Sequence, residues 1–159
     1  MNERPASLSA EHATFAIDRT YRHPAARVFR AFAEAAIKRQ WFIEGEGWTV
    51  YEYRADFRRG GGEFSSFSFG DGPKMWNEAV YHDIVDGRRL VFSYAMGIGD
   101  KPFSASLVTI TMTERNGATQ LVYHEQVTHL DGFDNAAQRE EGCRELLEKL
   151  AGHLDQMVD

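Results

Sequence analysis

Glu125 is the charged residue whose position gives it the clearest opportunity for chemistry. Residues 121–126 alternate between two faces, with Leu121, Tyr123 and Glu125 on one and the even-numbered residues on the other. This pattern is typical of a strand with one inward face. A carboxylate on that face could act as an acid, a base or a ligand anchor. The alternative, which we favour, is a place at the rim, where Glu125 is solvated or paired with an arginine such as Arg19.

Cys143 is the single cysteine of the chain, which excludes an intrachain disulfide and a multi-cysteine zinc site. A thiol can be a nucleophile, but Cys143 begins an apolar stripe at helical spacing and no histidine partner can be named for it. Free cysteine is commonly a small core residue. We therefore expect a buried and inert side chain.

Three histidines and a glycine run are the remaining candidates for metal or phosphate chemistry. His82, His124 and His129 lie on or near predicted strands and could converge with Glu125, but zinc needs three or four ligands at tetrahedral spacing. His124 and His129 are five residues apart, so they do not share a strand face. Residues 60–62 are three glycines with no following Lys-Ser/Thr, so a β connection is expected rather than a phosphate loop. No metal and no cofactor are predicted.

Aromatic residues make up 13% of the chain, with 11 Phe, 6 Tyr and 3 Trp. Such side chains carry large buried areas, and they either line a cavity or form an ordinary β-sheet core. Both interpretations stay open. With Glu125 and Cys143, the predicted ligand-binding residues are Trp41, Phe67, Trp76, Tyr81, Tyr94 and Tyr123.

Length and charge limit the classes of protein. A chain of 159 residues fits one domain, and its net charge of −6 gives no electrostatic basis for binding nucleic acid or an anionic membrane. The basic residues occur only in short runs such as Lys38-Arg39, which are expected to be solvated surface. No apolar run is long enough to cross a bilayer, so we expect no membrane partner and a cytoplasmic location.

The hydrophobic pattern predicts one strand, two short helices, six further strands and a long helix. The first twelve residues are expected to be a flexible lead-in, and residues 13–159 a single domain. The first helix should cover residues 24–33, with Pro24 as its first residue, and the second residues 35–41. Period-two patterns and turn signals predict strands at 14–21, 50–56, 63–69, 76–85, 90–96, 105–114 and 119–127.

The last helix should run from about Asn135 to Met157, capped by Asp134 or Asp131. Consecutive strands joined by tight turns imply an antiparallel sheet, and the amphipathic helix must bury its apolar stripe against it. The expected fold class is therefore α+β, with a curved antiparallel sheet of about seven strands wrapped around the C-terminal helix. This geometry tends to leave a pocket between helix and sheet.

The same element order and several short motifs resemble the START-like, helix-grip superfamily, in the branch related to the activator of the 90-kDa heat-shock-protein ATPase. The resemblance covers about residues 15–154. One departure is Gly142-Cys143, where that branch usually has Gly-Trp. The matching segments are residues 24–29 (P-x-x-x-V-F), Trp41, residues 59–64 (R-x-G-G-x-F), residues 89–94 (R-L-V with a later aromatic), residues 117–121 (G-x-T-x-L) and His124-Glu125.

The resemblance implies a binding module that holds a small apolar or amphipathic molecule between the sheet and the last helix. A cyclase- or hydrolase-type enzyme is the second hypothesis, using Glu125 with Tyr123, Tyr94 or His82. A stress-related co-chaperone is the third. A homodimer is compatible with any of them, since two-fold dimers are the commonest soluble oligomers.

Overall fold

The computed structural model describes residues 8–158 and places them in one sheet and three helices. No helix within that range is long and apolar enough to span a membrane. In chain order the elements are β1 (Ala10–Tyr21), α1 (Ala25–Ala33), α2 (Ala35–Phe42), β2 (Trp48–Ala55), β3 (Gly62–Phe69), β4 (Met75–Val85), β5 (Arg89–Ile98), β6 (Lys101–Arg115), β7 (Ala118–Leu130) and α3 (Ala136–Leu154).

The seven strands form one antiparallel sheet in the order β1-β7-β6-β5-β4-β3-β2. Strands β2 to β7 follow one another through tight connections, and β1 pairs with β7, so that Phe15 lies opposite Glu125. The two short helices carry the chain from one edge of the sheet to the other. The hairpin between β6 and β7 turns at Asn116 and Gly117, whose positive φ angles of 53° and 78° suit these two residue types. The predicted α+β fold and its sheet are confirmed.

Several element boundaries differ from the sequence-based prediction. Strand β1 begins at Ala10, inside the segment that was expected to be flexible, because its pairing with β7 continues that far. Of that segment, residues 1–7 lie outside the described range. Pro24 is the N-cap of α1 rather than its first helical residue. Helix α3 ends at Leu154, so Met157 lies beyond it.

The cap of α3 is also a correction. The predicted caps were Asp134 or Asp131, but the side chain of Asn135 accepts the hydrogen bond from the backbone N–H of Gln138, at 3.0 Å. Asp134 is instead engaged by side chains of the protein interior, as described below. Asn and Asp are comparable N-cap residues, so the sequence could not distinguish between neighbouring candidates.

The C-terminal half of α3 is anchored in the hydrophobic core. Leu150 and Leu154 are fully buried, and Val28 of α1 is equally buried in the same core. The hydroxyl of Tyr21 on β1 donates a hydrogen bond to the carbonyl of Leu147, at 2.9 Å. These contacts hold one end of the helix on the sheet, and they leave its first turns over the concave inner face.

Candidate functional site

A cavity of about 530 Å³ lies between the sheet, α2 and the first part of α3. Eleven of its lining residues are aromatic, which makes most of its wall apolar. Cavities of this size suit a small organic molecule. The aromatic lining consists of Phe32, Trp41, Phe42, Trp48, Phe67, Phe69, Phe92, Tyr94, Phe103, Tyr123 and Phe133.

Five of the predicted ligand-binding residues come together in this wall. Trp41 comes from α2, Phe67 from β3, Tyr94 from β5, Tyr123 from β7 and Cys143 from α3. Strand residues of one parity share a face, so each contributing strand supplies every second residue to the wall. Elements far apart in the chain therefore surround one space.

Trp76 and Tyr81 lie elsewhere. Trp76 is on the outer face of β4, where its indole N–H donates to the carbonyl of Gly99 at 2.8 Å. Its ring covers Gly97, where an added Cβ would lie only 2.2 Å from the indole. Trp76 therefore does not line the cavity. Tyr81 is on the inner face, but it is buried behind the wall and its hydroxyl donates to Glu63 at 2.6 Å.

Glu125 is fully buried, so the rim position that we favoured from the sequence is wrong. Its Oε2 accepts hydrogen bonds from Tyr94 at 2.8 Å and Ser106 at 2.7 Å, and its Oε1 from Tyr123 at 2.6 Å. Arg19, the expected partner, bonds to Glu148 instead. The alternation along β7 correctly places Glu125 on the inward face of the sheet. It could not indicate which residue of another element contacts the carboxylate.

The ionic partner of Glu125 is Arg139 of α3, at 3.1 Å. The same guanidinium donates to Ser104 at 2.6 Å and to Asp134 at 2.9 Å. Asp134 also accepts from the Nδ1 of His129, at 2.6 Å. The guanidinium of Arg139 also donates to the hydroxyl of Tyr94 on β5, at 2.9 Å, so one buried arginine joins two carboxylates and the hydroxyls of two strands. We call Arg139 and these partners the Arg139 network. The sequence did not indicate that Arg139 is buried or paired; it showed only that the residue lies in an amphipathic helix.

Burial keeps the hydroxyls and the thiol of this region protonated. Burial raises the pKa of Tyr94 and of Tyr123 well above their ordinary value, and the charge of Glu125 adds to the effect. The same two causes raise the pKa of the Cys143 thiol from 9.0 to about 12. The thiol lies 3.6 Å from the Tyr123 hydroxyl and 3.7 Å from Glu125 Oε1, and it is buried, in agreement with the prediction for Cys143. These groups donate hydrogen bonds; at neutral pH they are neither bases nor nucleophiles.

A second buried ion pair lies at the α2 side of the cavity. The Nζ of Lys38 contacts both oxygens of Glu63, at 2.9 and 2.8 Å, and both side chains are more than 90% buried. The ammonium also lies 4.8 Å from the centre of the Phe42 ring and 5.8 Å from that of Phe92. The expectation that Lys38 belongs to a solvated surface is therefore wrong. Its neighbour Arg39 is partly exposed, so the two adjacent basic residues lie in different environments.

The open side of the cavity is bordered by Lys149, Trp48 and two exposed phenylalanines. The Nζ of Lys149 donates to the carbonyl of Glu44 at 2.8 Å and lies 5.2 Å from the centre of the Trp48 ring. Partial burial lowers the pKa of Lys149. Phe69 and Phe133 are each more than half exposed although both belong to the wall. These side chains expose part of the wall to solvent.

Two of the three histidines do not assemble with Glu125, whereas His129 is buried on the same face of β7 and is connected to Glu125 through Asp134 and Arg139. His82 is on the outer face of β4, where its Nε2 lies 2.7 Å from the hydroxyl of Ser93, and His124 is on the face of β7 opposite to Glu125. Within residues 8–158 no three His, Cys, Asp or Glu side chains are grouped in a way that could hold a metal ion.

Comparison with known proteins places the chain in a family. The family model described as "Activator of Hsp90 ATPase homolog 1-like protein" matches residues 22–159. No curated protein matches the chain. A solved protein from Rhizobium loti is 49% identical, with 91% of this chain and 99% of that one covered and a TM-score of 0.84. One from Rhizobium leguminosarum is 38% identical, with 95% and 99% covered and a TM-score of 0.90.

More distant structures share the fold alone, such as a protein from Chromobacterium violaceum at 24% identity and a TM-score of 0.73. The family model covers far more than half of the chain, and two relatives exceed 30% identity over nearly its full length. The resemblance noted in the short motifs is therefore confirmed. This chain belongs to the family of proteins similar to activator of Hsp90 ATPase homolog 1.

Proposed function

We propose that this protein binds a small apolar or amphipathic molecule in the cavity between the sheet and α3. The observation that carries the proposal is the aromatic wall around about 530 Å³ of space, next to the hydrophobic core. Aromatic side chains left facing a cavity gain contact area when a ligand replaces the water there. The exposed phenylalanines at the opening provide an apolar path inward.

The state of Glu125 favours binding over acid–base catalysis. A general acid or base must reach the substrate, but Glu125 is fully buried and does not belong to the cavity wall. Both of its oxygens accept hydrogen bonds from the protein. The co-chaperone hypothesis has its support in the family match alone, and no surface feature described above adds to it.

The first experiment is native mass spectrometry of the purified protein, followed by spectra under denaturing conditions. A bound molecule appears as an excess mass that is lost on denaturation. In parallel, the apolar probe 1-methylnaphthalene is titrated into the ligand-free protein by calorimetry. We expect a retained ligand, saturable binding of the probe, or both.

Two tryptophan substitutions make the test specific for the cavity. Leu146→Trp enlarges a side chain of the wall, whereas Leu107→Trp makes the same change at a partly exposed position outside it. We expect binding to be lost in Leu146→Trp and kept in Leu107→Trp. Equal binding in both variants, or no ligand and no probe binding in the wild type, would refute the proposal.

A further inference from the structure

Asn77 is a polar residue on the inner face of the sheet, in a stretch of wall that is otherwise apolar. Met75, Asn77 and Ala79 are alternate residues of β4 and all three line the cavity. The Asn77 side chain is half-buried, and its amide makes no hydrogen bond to any residue in the range 8–158. The buried charged side chains of the wall are already engaged with one another, whereas the half-buried amide of Asn77 is not.

A carboxamide recognises particular chemical groups. It has two N–H donors and a carbonyl acceptor and carries no charge, so it pairs well with a hydroxyl or a carbonyl oxygen. A polar group that faces an apolar space is costly unless it finds a partner. A ligand that fills this cavity displaces the water near Asn77 and must supply that partner itself.

The buried charged residues of the wall disfavour an ionic group inside the cavity, whereas the two other charged wall residues with no carboxylate or cation partner within residues 8–158, Lys149 and Glu145, are partly or fully exposed. Lys38 is already held by Glu63, and Arg139 by Asp134 and Glu125. A ligand carboxylate would have to displace a protein carboxylate from one of these cations. A ligand ammonium would have to displace a cation in the same way, and a buried ion without a partner is strongly unfavourable.

We propose that the cavity binds an uncharged aromatic molecule whose hydroxyl or carbonyl group hydrogen-bonds to the side chain of Asn77. This inference rests on the proposed function and adds the charge of the ligand and the residue that orients it. The eleven aromatic side chains of the wall supply ring faces and edges for an aromatic body. The side-chain amide of Asn77, on the inner face of β4, fixes the orientation of the ligand.

The test uses four probes with one ring system: 1-naphthalenemethanol, 1-naphthaleneacetate, 1-naphthylmethylammonium and 1-methylnaphthalene. Their dissociation constants are measured by calorimetry at neutral pH and constant salt. We expect the alcohol to bind about tenfold tighter than either ion, because an unpaired buried charge costs more than a buried hydroxyl.

Asn77→Leu keeps the size of the side chain and removes its hydrogen-bonding groups. We expect the affinity for the alcohol to fall about five- to tenfold, the range of one hydrogen bond, with 1-methylnaphthalene bound at least as tightly as before. The matched control is Gln126→Leu, which removes an exposed amide on the outer face of β7, outside the cavity, and should change neither value. Thermal unfolding of each variant verifies that it is folded. If Asn77→Leu does not fold, Asn77→Ser, which also removes the amide, takes its place.

The outcomes separate this inference from the proposed function. If 1-methylnaphthalene binds but an ion binds as tightly as the alcohol, the ligand class is wrong and the binding cavity stands. If Asn77→Leu weakens the alcohol and 1-methylnaphthalene equally, Asn77 does not orient the ligand. If none of the four probes binds, the inference about Asn77 fails, and the proposed function fails with it when the native mass spectrum also shows no retained ligand.

Discussion

The cavity is flanked by two buried ion pairs that are built differently. On the α2 side, both carboxylate oxygens of Glu63 contact the single ammonium of Lys38, and Tyr81 donates one further hydrogen bond to this carboxylate. On the α3 side, Arg139 joins two carboxylates and hydroxyl groups from two strands. The first pair has aromatic rings around it, and the second has a continuous set of hydrogen-bonding partners.

The difference indicates how replaceable each pair is. A simple buried pair can often be exchanged for neutral residues at little cost, because its attraction only offsets the loss of hydration. A network in which one cation serves several groups cannot, since each group left behind is buried without a partner. We therefore expect the Arg139 network to be the more sensitive of the two.

The largest effect is expected from Arg139→Met. The substitution leaves Glu125 without its counter-charge in a position with 0% exposure, and it also removes a partner of Asp134. Breaking a buried pair in this way typically costs about 3–5 kcal/mol in the free energy of unfolding. Urea-induced unfolding monitored by circular dichroism measures the change.

The control for this change is Arg144→Met on the same helix. Arg144 pairs with Glu140 one turn earlier, and about half of its side chain is exposed. Such a surface pair contributes about 0.3–0.5 kcal/mol to the free energy of unfolding, so Arg144→Met should cost no more than this. Similar losses in the two variants would contradict the central place given to the Arg139 network.

The second prediction tests the simpler pair by two steps. Lys38→Met should cost about 3 kcal/mol, because Glu63 stays buried and charged. Adding Glu63→Gln removes that charge and keeps an acceptor for the Tyr81 hydroxyl, so more than half of the lost stability should return. The free energies of unfolding of both variants come from urea titration.

A matched double variant shows whether the two pairs really differ. Arg139→Met combined with Glu125→Gln should recover much less stability, because Asp134 and the hydroxyls of Ser104 and Ser106 have still lost their donor or neighbour. Equal recovery in the two double variants would show that the number of partners does not matter here.

The same comparison explains what the sequence could and could not predict. Alternation placed Glu125 on the inner face of β7, because a strand repeats every two residues and its other inward positions are apolar. The partner could not be found, since Arg139 is 14 residues away and reaches Glu125 only once α3 lies over the sheet. The sequence also offered Arg19, a plausible arginine on a neighbouring strand that in fact faces Glu148.

The Lys38–Glu63 pair escaped prediction entirely for a related reason. Both residues are charged and lie in polar surroundings in the sequence, Lys38 next to Arg39 and Glu63 after three glycines. Local pattern cannot separate a buried charge with a distant partner from a solvated one. The fold itself was accessible because its strands, turns and amphipathic helix are local patterns, and the same is true of Trp41, Phe67, Tyr94, Tyr123 and Cys143 in the cavity wall.

Cys143 gives the smallest and most local test, on the α3 side of the comparison. Burial and the nearby Glu125 raise the pKa of its thiol from 9.0 to about 12. Only a thiolate reacts readily with iodoacetamide, so the native protein at pH 8 should react about a thousandfold more slowly than the same chain in urea. A native rate close to that of the unfolded chain would show that the thiol is exposed or ionised.

The raised pKa also fixes how Cys143 affects stability at alkaline pH. The unfolded chain releases the thiol proton near pH 9 and the folded protein does so near pH 12, so the contribution of Cys143 is complete below the first value and is lost between them. At pH 10 the loss should be about 1 kcal/mol relative to neutral pH, measured by urea unfolding. In Cys143→Ala this part of the fall in the free energy of unfolding with rising pH should disappear. The part due to the buried tyrosines Tyr94 and Tyr123 should remain. An unchanged slope in Cys143→Ala would mean that the α3 side of the cavity is more hydrated than its hydrogen bonds imply, and that its network is closer in character to a surface pair.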